Sequence, residues 1–512
     1  MNSMKNKYIF ISLMFLPLLS CNEDDLTLTP EGKELDITFY KTEEQIQQAI
    51  YAAYDPFQHI IWGGNPFMWG SIASDDAVAG GADNTDQKTY QMADRYTVTP
   101  IEDKEDDLYQ FWQSRFKIIY RSNLILNFAD KNTVVGKKGI AHAYFLKAYA
   151  YFELVRMFGG MPLIDKIPTS SDKFPRATVE ETWAAIENYC KSALDAGIAK
   201  RKNGIDPDGL ATEASVQALL GKVYVYQKKY SQAIDILEKV AANPEYELEL
   251  NYADVFAAGN KHGKESIFEI NFTSTDGGTI WDQYVNGNAS YTLCGPRTGE
   301  VPITNAQFAW GWGMNQPTKK LAKAFDDMGD VVRKNNSIIS NDSILKLSPS
   351  TSFQNSLSGY WDLKHVRRNG YYTSATQVAQ NIILLRLSDV YLLLAEAYNR
   401  SGNDAKAREY LNKVRNRAGL PSNNTDSGDA LFEKIKKERQ LELCLEGDRY
   451  FDLLRWGDAE KELTGDAENL ALNGNSFSTG LPGKNSNGLF PIPQAEMNKI
   501  GNDPNFPQND GY

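Results

Sequence analysis

The chain has 512 residues and a formal charge of -12, with an isoelectric point near 5.1. Nucleic-acid binding is excluded, because phosphate contacts dominate such affinity and this surface repels them. At 42% hydrophobic and 23% charged residues the composition is that of a folded globular chain. Its 27 Tyr and 9 Trp are a generous supply of flat rings.

The N-terminus comes first. Lys5 and Lys7 precede an apolar run from Tyr8 to Leu19. That run is too short to span a bilayer and has the form of a secretory signal. It ends in Leu18-Leu19-Ser20-Cys21, which resembles a lipoprotein signal in which the Cys21 thiol is lipidated and becomes the new N-terminus. Asn22-Glu23-Asp24-Asp25 follows, an acidic run resembling a surface-export signal. Several acyl chains at Cys21 are expected to hold the protein stably on the membrane. The polar stretch from Leu26 to Asp36, with Pro30 and Gly32, reads as a tether.

Helical periodicity begins at Thr42, an expected N-cap with Gln45 closing a capping box. Ile46, Ala49, Ile50 and Ala53 follow at helical spacing. Phe111 to Phe128 forms a second amphipathic stretch. A third carries Ala141, Phe145, Ala148, Phe152 and Val155 on one face and stops at Gly159-Gly160, before Pro162. Two later segments repeat each other. Leu220-Gly221-x-x-Tyr224 is followed by Ala233 and Leu237, and Leu394-Ala395-x-x-Tyr398 by Ala407 and Leu411 at identical offsets. Small residues there let antiparallel helices approach while Tyr and Leu fill the groove, the pattern of a tetratricopeptide (TPR) helical pair.

Between the repeats the texture changes. Residues 271–315 hold seven Gly and seven large aromatics with no sustained helical period. A long irregular stretch inside a compact protein usually serves function. The expected organisation is a signal at 1–20, a lipid-anchored tether at 21–36 and an N-terminal helical region with one TPR-like pair at 37–270. A loop-rich, ligand-binding insertion at 271–380, a second TPR-like region at 381–460 and a loop-rich tail at 461–512 complete it. The fold class is mostly α.

The chain resembles the SusD/RagB family nearly end to end. The resemblance rests on the lipoprotein-type signal, Trp112 through Tyr120 to Asn123, and Arg156-Met157-Phe158-Gly159-Gly160-Met161-Pro162-Leu163. It continues through Leu385 to Ala397, Val414 to Leu420 and Glu438 to Gly457, and ends with Phe490-Pro491-Ile492-Pro493 and Gln508 to Tyr512. It implies a glycan-binding outer-membrane lipoprotein facing the cell exterior, docked by its helical half on a SusC-like TonB-dependent transporter to which it delivers oligosaccharide, with no catalytic residues and no cofactor.

Sugars offer flat C–H faces and a rim of hydroxyls, so a site wants aromatic platforms with a few polar groups. Candidate ligand residues are Trp281 and Tyr284 first, then Trp62, Trp69, Asp75, Asn286, Arg297 and Trp312. Trp361, Tyr371 and Tyr372 rank lower, and Trp310 shares with Trp312 a segment that resembles a structural element of the family. Glu438, Glu442 and Glu446 recur every four residues and read as a structural ion-pair network with Arg415, Arg417 and Arg455, since a glycosidase needs carboxylates on opposite walls. Gly259 to Glu265 lacks the Ser/Thr of a phosphate loop, and His59, His142, His262 and His365 are too scattered for zinc. Asp206-x-Asp208-Gly209 lacks the EF-hand order. Cys190, Cys294 and Cys444 read as small buried apolar residues. The alternatives are a surface-tethered glycoside hydrolase, a TPR-type protein-interaction scaffold, and capture of a peptide instead of a sugar. One outcome follows directly: Trp281→Ala weakens oligosaccharide binding in isothermal calorimetry while leaving the melting temperature unchanged, and equal affinity removes Trp281 from the site.

Overall fold

The computed structural model describes residues 39–58, 66–104, 106–206, 209–274, 286–299, 303, 306–464, 477–480, 482–501 and 503–512. The signal, Cys21 and the tether lie outside them. Helices dominate, and several start where the sequence supplies a cap. Thr42 accepts from the Gln45 amide at 3.2 Å while the Gln45 side chain accepts from the Thr42 amide at 3.1 Å, closing the expected box ahead of Glu43–Tyr54. The third periodic stretch forms Val134–Phe158, buries all five of its face residues, and ends at Gly159 with φ of 79°. Asn123 secures the turn that follows, donating to the carbonyls of Ile164 and Lys166 at 2.9 Å.

The two repeats fold as helical hairpins, Glu213–Tyr226 with Tyr230–Ala241 and Leu387–Arg400 with Asp404–Arg417. Gly221 is required by contact: a Cβ there would stand 2.2 Å from a Leu237 methyl. Glu238 joins the hairpins, its two carboxylate oxygens accepting from the Tyr398 and Tyr410 hydroxyls at 2.6 and 2.7 Å. Cys190, Cys294 and Cys444 are buried free thiols.

The stretch between the repeats leaves and re-enters the helical body through one antiparallel strand pair, Ser266–Ile270 against Ile382–Arg386. Its second half departs from the irregular structure expected. Lys319–Met328, Val331–Ser337 and Asn341–Leu347 are helices opened by Thr318, Asp330 and Ser340. The apolar stripe of Leu321, Ala322, Ala324 and Phe325 packs on Ala77, Leu441, Cys444 and Leu445, and these short helices are hidden among polar neighbours in the sequence. Two further short strand pairs, Ala77–Ala79 with Asn315–Pro317 and Ile338–Ser340 with Tyr360–Asp362, tie the segment to the N-terminal half and to itself. Among the described residues no helix is long and apolar enough to cross a membrane.

Two buried charge networks hold these parts together. In the first, Asp330, Glu265, Glu438, Glu442 and Glu446 meet Arg333, Arg386, Arg415, Arg417 and Lys364. In the second, Asp389, Asp448, Asp452 and Glu396 meet Lys222, Arg156, Arg439 and Arg455. The expected partners Arg415 and Arg417 are therefore present, whereas Arg455 serves Glu396 and Asp452 instead. Burial pushes the Glu442 carboxyl up, but Arg417, Arg386 and Arg333 outweigh it and hold the group well below the usual carboxylate range. A folded value below the unfolded one gives stability that is complete above about pH 4.5, the ordinary glutamate range, and is lost as pH falls. Removing one partner of a buried pair costs about 3–5 kcal/mol. Glu442→Gln is expected to lose stability of that order at pH 7 in guanidinium titrations and to lose less at pH 3, where the wild type has itself weakened; an unchanged midpoint at pH 7 removes Glu442 from the network.

Candidate functional site

The helical insertion half carries on its outer side a loop-built surface. Residues 307–309 run beside 367–369, with the Ala309 amide donating to the Arg367 carbonyl at 3.0 Å and the Asn369 amide to the Gln307 carbonyl at 3.2 Å. Tyr371 and Tyr372 then open a hairpin that returns at Val378 and Ala379, closed by Thr373 to Gln377 at 3.0 Å and Ala379 to Tyr371 at 2.8 Å. Asn288 docks on this hairpin through its amide, 2.9 Å from the Val378 carbonyl, and Asn286 stands two residues before it.

Two rings of this surface face outward: Trp310 is 43% exposed and Tyr371 40%. Between Trp310 and the half-buried Tyr372 lies the Arg367 guanidinium, 5.4 Å from the first ring centroid and 4.8 Å from the second. Its Nη2 donates to the Trp310 carbonyl at 2.5 Å. The result is a buried guanidinium flanked by two rings, of which Trp310 is exposed. Planar rings with a cation between them offer stacking to C–H faces and hydrogen bonds to hydroxyls or anions.

The structure sorts the residues expected from the sequence. Trp62, Trp281 and Tyr284 lie outside the described residues, as does Cys21. Trp69 has no exposed surface and packs against Tyr90 and Phe490, with centroids 4.8 and 5.5 Å away; it is a core ring, and the expectation that it contacts ligand is corrected. Asp75 is also fully buried. Arg449 grips it through Nε at 2.7 Å and Nη2 at 3.0 Å, and Lys320 adds a contact at 2.9 Å. Those cations hold its carboxyl below the usual range despite burial, so Asp75 is a structural anion and no sugar reaches it. Its neighbour Asp76, by contrast, is pushed up to about 6 by burial and by the charge of Asp75.

Trp312 is half-buried against the main core. Its carbonyl accepts from Arg297 at 3.3 Å, and Arg297 also reaches Gln354 at 3.1 Å and Asp86 at 3.7 Å. The adjoining Gly313 is needed at φ of 65°, with the Trp361 ring 2.7 Å from any added Cβ; Trp361 itself is fully buried. Trp310 and Tyr371 are thus the exposed rings of this surface among the described residues, while Arg367 is buried against Trp310 and the half-buried Tyr372. The sequence pattern points to a structural role for Trp310 and does not single out Arg367. The Arg367-Arg368 pair beside two tyrosines was the available signal. Among the described residues no cluster of His, Cys, Asp and Glu is arranged to hold a metal.

Comparison with known proteins gives the following. Residues 343–512 match the SusD family, and residues 27–225 match the family described as starch-binding, associating with outer membrane. SusD-like protein P38 of Formosa agariphila is 26% identical over 488 residues, covering 90% of this chain and 93% of the relative. The starch-binding protein SusD of Bacteroides thetaiotaomicron is 25% identical over 423 residues, covering 73% and 72%. A solved laminarin-binding SusD-like protein superposes with a TM-score of 0.78 at 28% identity, covering 92% of this chain and all of the other.

The burial of Trp69 has a measurable consequence. Trp69→Ala is expected to cost about 3–5 kcal/mol of stability, as core Trp truncations do, with ligand affinity unchanged below the new melting point. Loss of affinity without loss of stability in calorimetry and thermal melts would return Trp69 to the surface.

Proposed function

The chain belongs to the SusD family, and from that premise we propose that it is a non-catalytic surface glycan-binding lipoprotein that captures oligosaccharide and passes it to a SusC-like TonB-dependent transporter. The lipid anchor is Cys21, the location is the outer membrane, and the ligand-binding face looks outward. One observation carries the reading: the exposed rings of Trp310 and Tyr371, with the Arg367 guanidinium buried against Trp310 and Tyr372, on the loop-rich side of a helical scaffold whose relatives include proteins named for laminarin and for starch.

Stacking on Trp310 and Tyr371 supplies contact area, and Arg367 supplies donors for orientation. Trp281, Tyr284, Trp62, Asn286, Arg297 and Trp312 are the further ligand contacts of this reading. A capture protein needs this combination and no chemistry. The charged motif that most suggests acid–base catalysis supports the same view, because Glu438, Glu442 and Glu446 are each held by arginine or lysine in the interior. A glycosidase acid must be free to give up and regain a proton beside the scissile bond.

Trp310→Ala is expected to weaken binding to the preferred oligosaccharide at least tenfold, about 1.4 kcal/mol, in isothermal calorimetry on protein begun after residue 21. The melting temperature falls only slightly, because the partly exposed ring gives up one cation–π contact to Arg367. Full affinity in the variant, or release of reducing sugar by the wild type, would sink the reading.

A further inference from the structure

Arginine is buried repeatedly in this protein, and the buried arginines follow a rule. Arg115 pairs with Glu153, Arg333 with Asp330, Arg386 with Glu265, Arg415 with Glu438, Arg439 with Asp389, Arg449 with Asp75 and Arg455 with Glu396. The reason is physical: a guanidinium taken out of water loses several kcal/mol of hydration, and a carboxylate must return it.

Arg367 breaks the rule. It is 4% exposed, yet no carboxylate lies within ion-pair distance of it among the described residues. Its Nε is buried without a hydrogen-bond partner. Nη2 has a single acceptor, the neutral carbonyl of Trp310. The two flanking rings give cation–π attraction, which is smaller than a full ion pair. Burial accordingly holds the Arg367 group below the ordinary arginine range, with Tyr372 opposing weakly. Arg368 next to it is also depressed by burial. Asp362, whose charge reaches Arg368, is already taken by His365 at 2.9 Å, Asn315 at 3.0 Å and two backbone amides.

An arginine kept short of an anion, beside the most exposed tryptophan of the described residues, is short of one that arrives from outside. We propose that the glycan held on the Trp310–Tyr372 platform is acidic, and that a carboxylate or sulfate on it pairs with Arg367. This rests on the glycan-capture reading and narrows its ligand class. Guanidinium is matched to such groups because its planar fork donates to two oxygens at once. The net charge of the protein does not oppose this: at physiological salt charges beyond about 8 Å are screened, so the local cation decides.

The test uses ligand pairs that differ only in the anion. Polygalacturonate, alginate and a sulfated galactan are each compared with their carboxyl-reduced or desulfated counterparts, alongside neutral α- and β-glucans, by affinity electrophoresis and calorimetry. The wild type is expected to bind one acidic polymer at least tenfold more tightly than its neutralised counterpart. Arg367→Met equalises the two, and Arg367→Lys retains the preference at reduced affinity. Equal binding of both members of every pair, or binding of neutral glucans alone, overturns the acidic-ligand proposal and leaves glycan capture standing. Binding to no glycan overturns both. Should Arg367→Met fail to fold by circular dichroism, the wild-type comparison between paired polymers decides alone.

Discussion

The interaction on which the rest depends is the buried meeting of Lys222, Asp389, Asp448 and Arg439. Lys222 stands on the first repeat hairpin, Asp389 on the second, and Asp448 and Arg439 on the C-terminal motif. Removing four charges from water is costly, and mutual attraction restores that cost only when every lone pair and proton is engaged. The arrangement therefore tolerates one register. The carboxylates of Asp389 and Asp448, shared by the same lysine, tie the two hairpins and the C-terminal motif together at one point. Arg156 and Arg455 extend the chain of pairs to the long helix Val134–Phe158 and to Glu396. Four segments of the chain are thereby fixed to one another.

The same physics reaches the site. Arg386 ends the strand through which the insertion re-enters the body, and it binds Glu265 at the start of the opposing strand, at 2.8 Å, together with Glu446 at 2.7 Å. The root of the insertion's loops is thus fastened to the charge network and not to the loops themselves. A platform mounted this way can change its surface residues freely while the root stays in place, since the anchoring side chains and the displayed side chains are different residues. That separation of scaffold and display is the usual disposition of binding loops.

Local pattern was legible in the sequence and distant pairing was not. The Thr42 cap, the Ala141–Val155 face and the two repeats were readable because each depends on residues within a turn or two of one another. The Arg415 and Arg417 pairs were readable too, since the charged helix that follows them is close in the chain. Arg455 was assigned to the wrong acids because nothing local distinguishes Glu396 from Glu446 as its partner. The helices from Lys319 to Leu347 were missed because their apolar stripe is narrow and is completed by Ala77 and Leu441, brought from elsewhere.

Trp69 and Trp310 show where sequence reading stops. Both sit beside glycine in aromatic-rich segments, and no property of the residue or its neighbours separates them. Trp69 meets Phe490 from the far end of the chain and is sealed, whereas Trp310 is turned outward by the pairing of 307–309 with 367–369. Asp75 carries the same lesson with charge. Beside Trp69 it looked like a hydroxyl-binding acid, but Arg449, 374 residues away, occupies both its oxygens. Exposure and charge balance are long-range properties, fixed by which strands and helices meet. The informative residue is therefore the one whose balance the fold leaves open, and among the described residues of this face that residue is Arg367, which is buried with no carboxylate beside it.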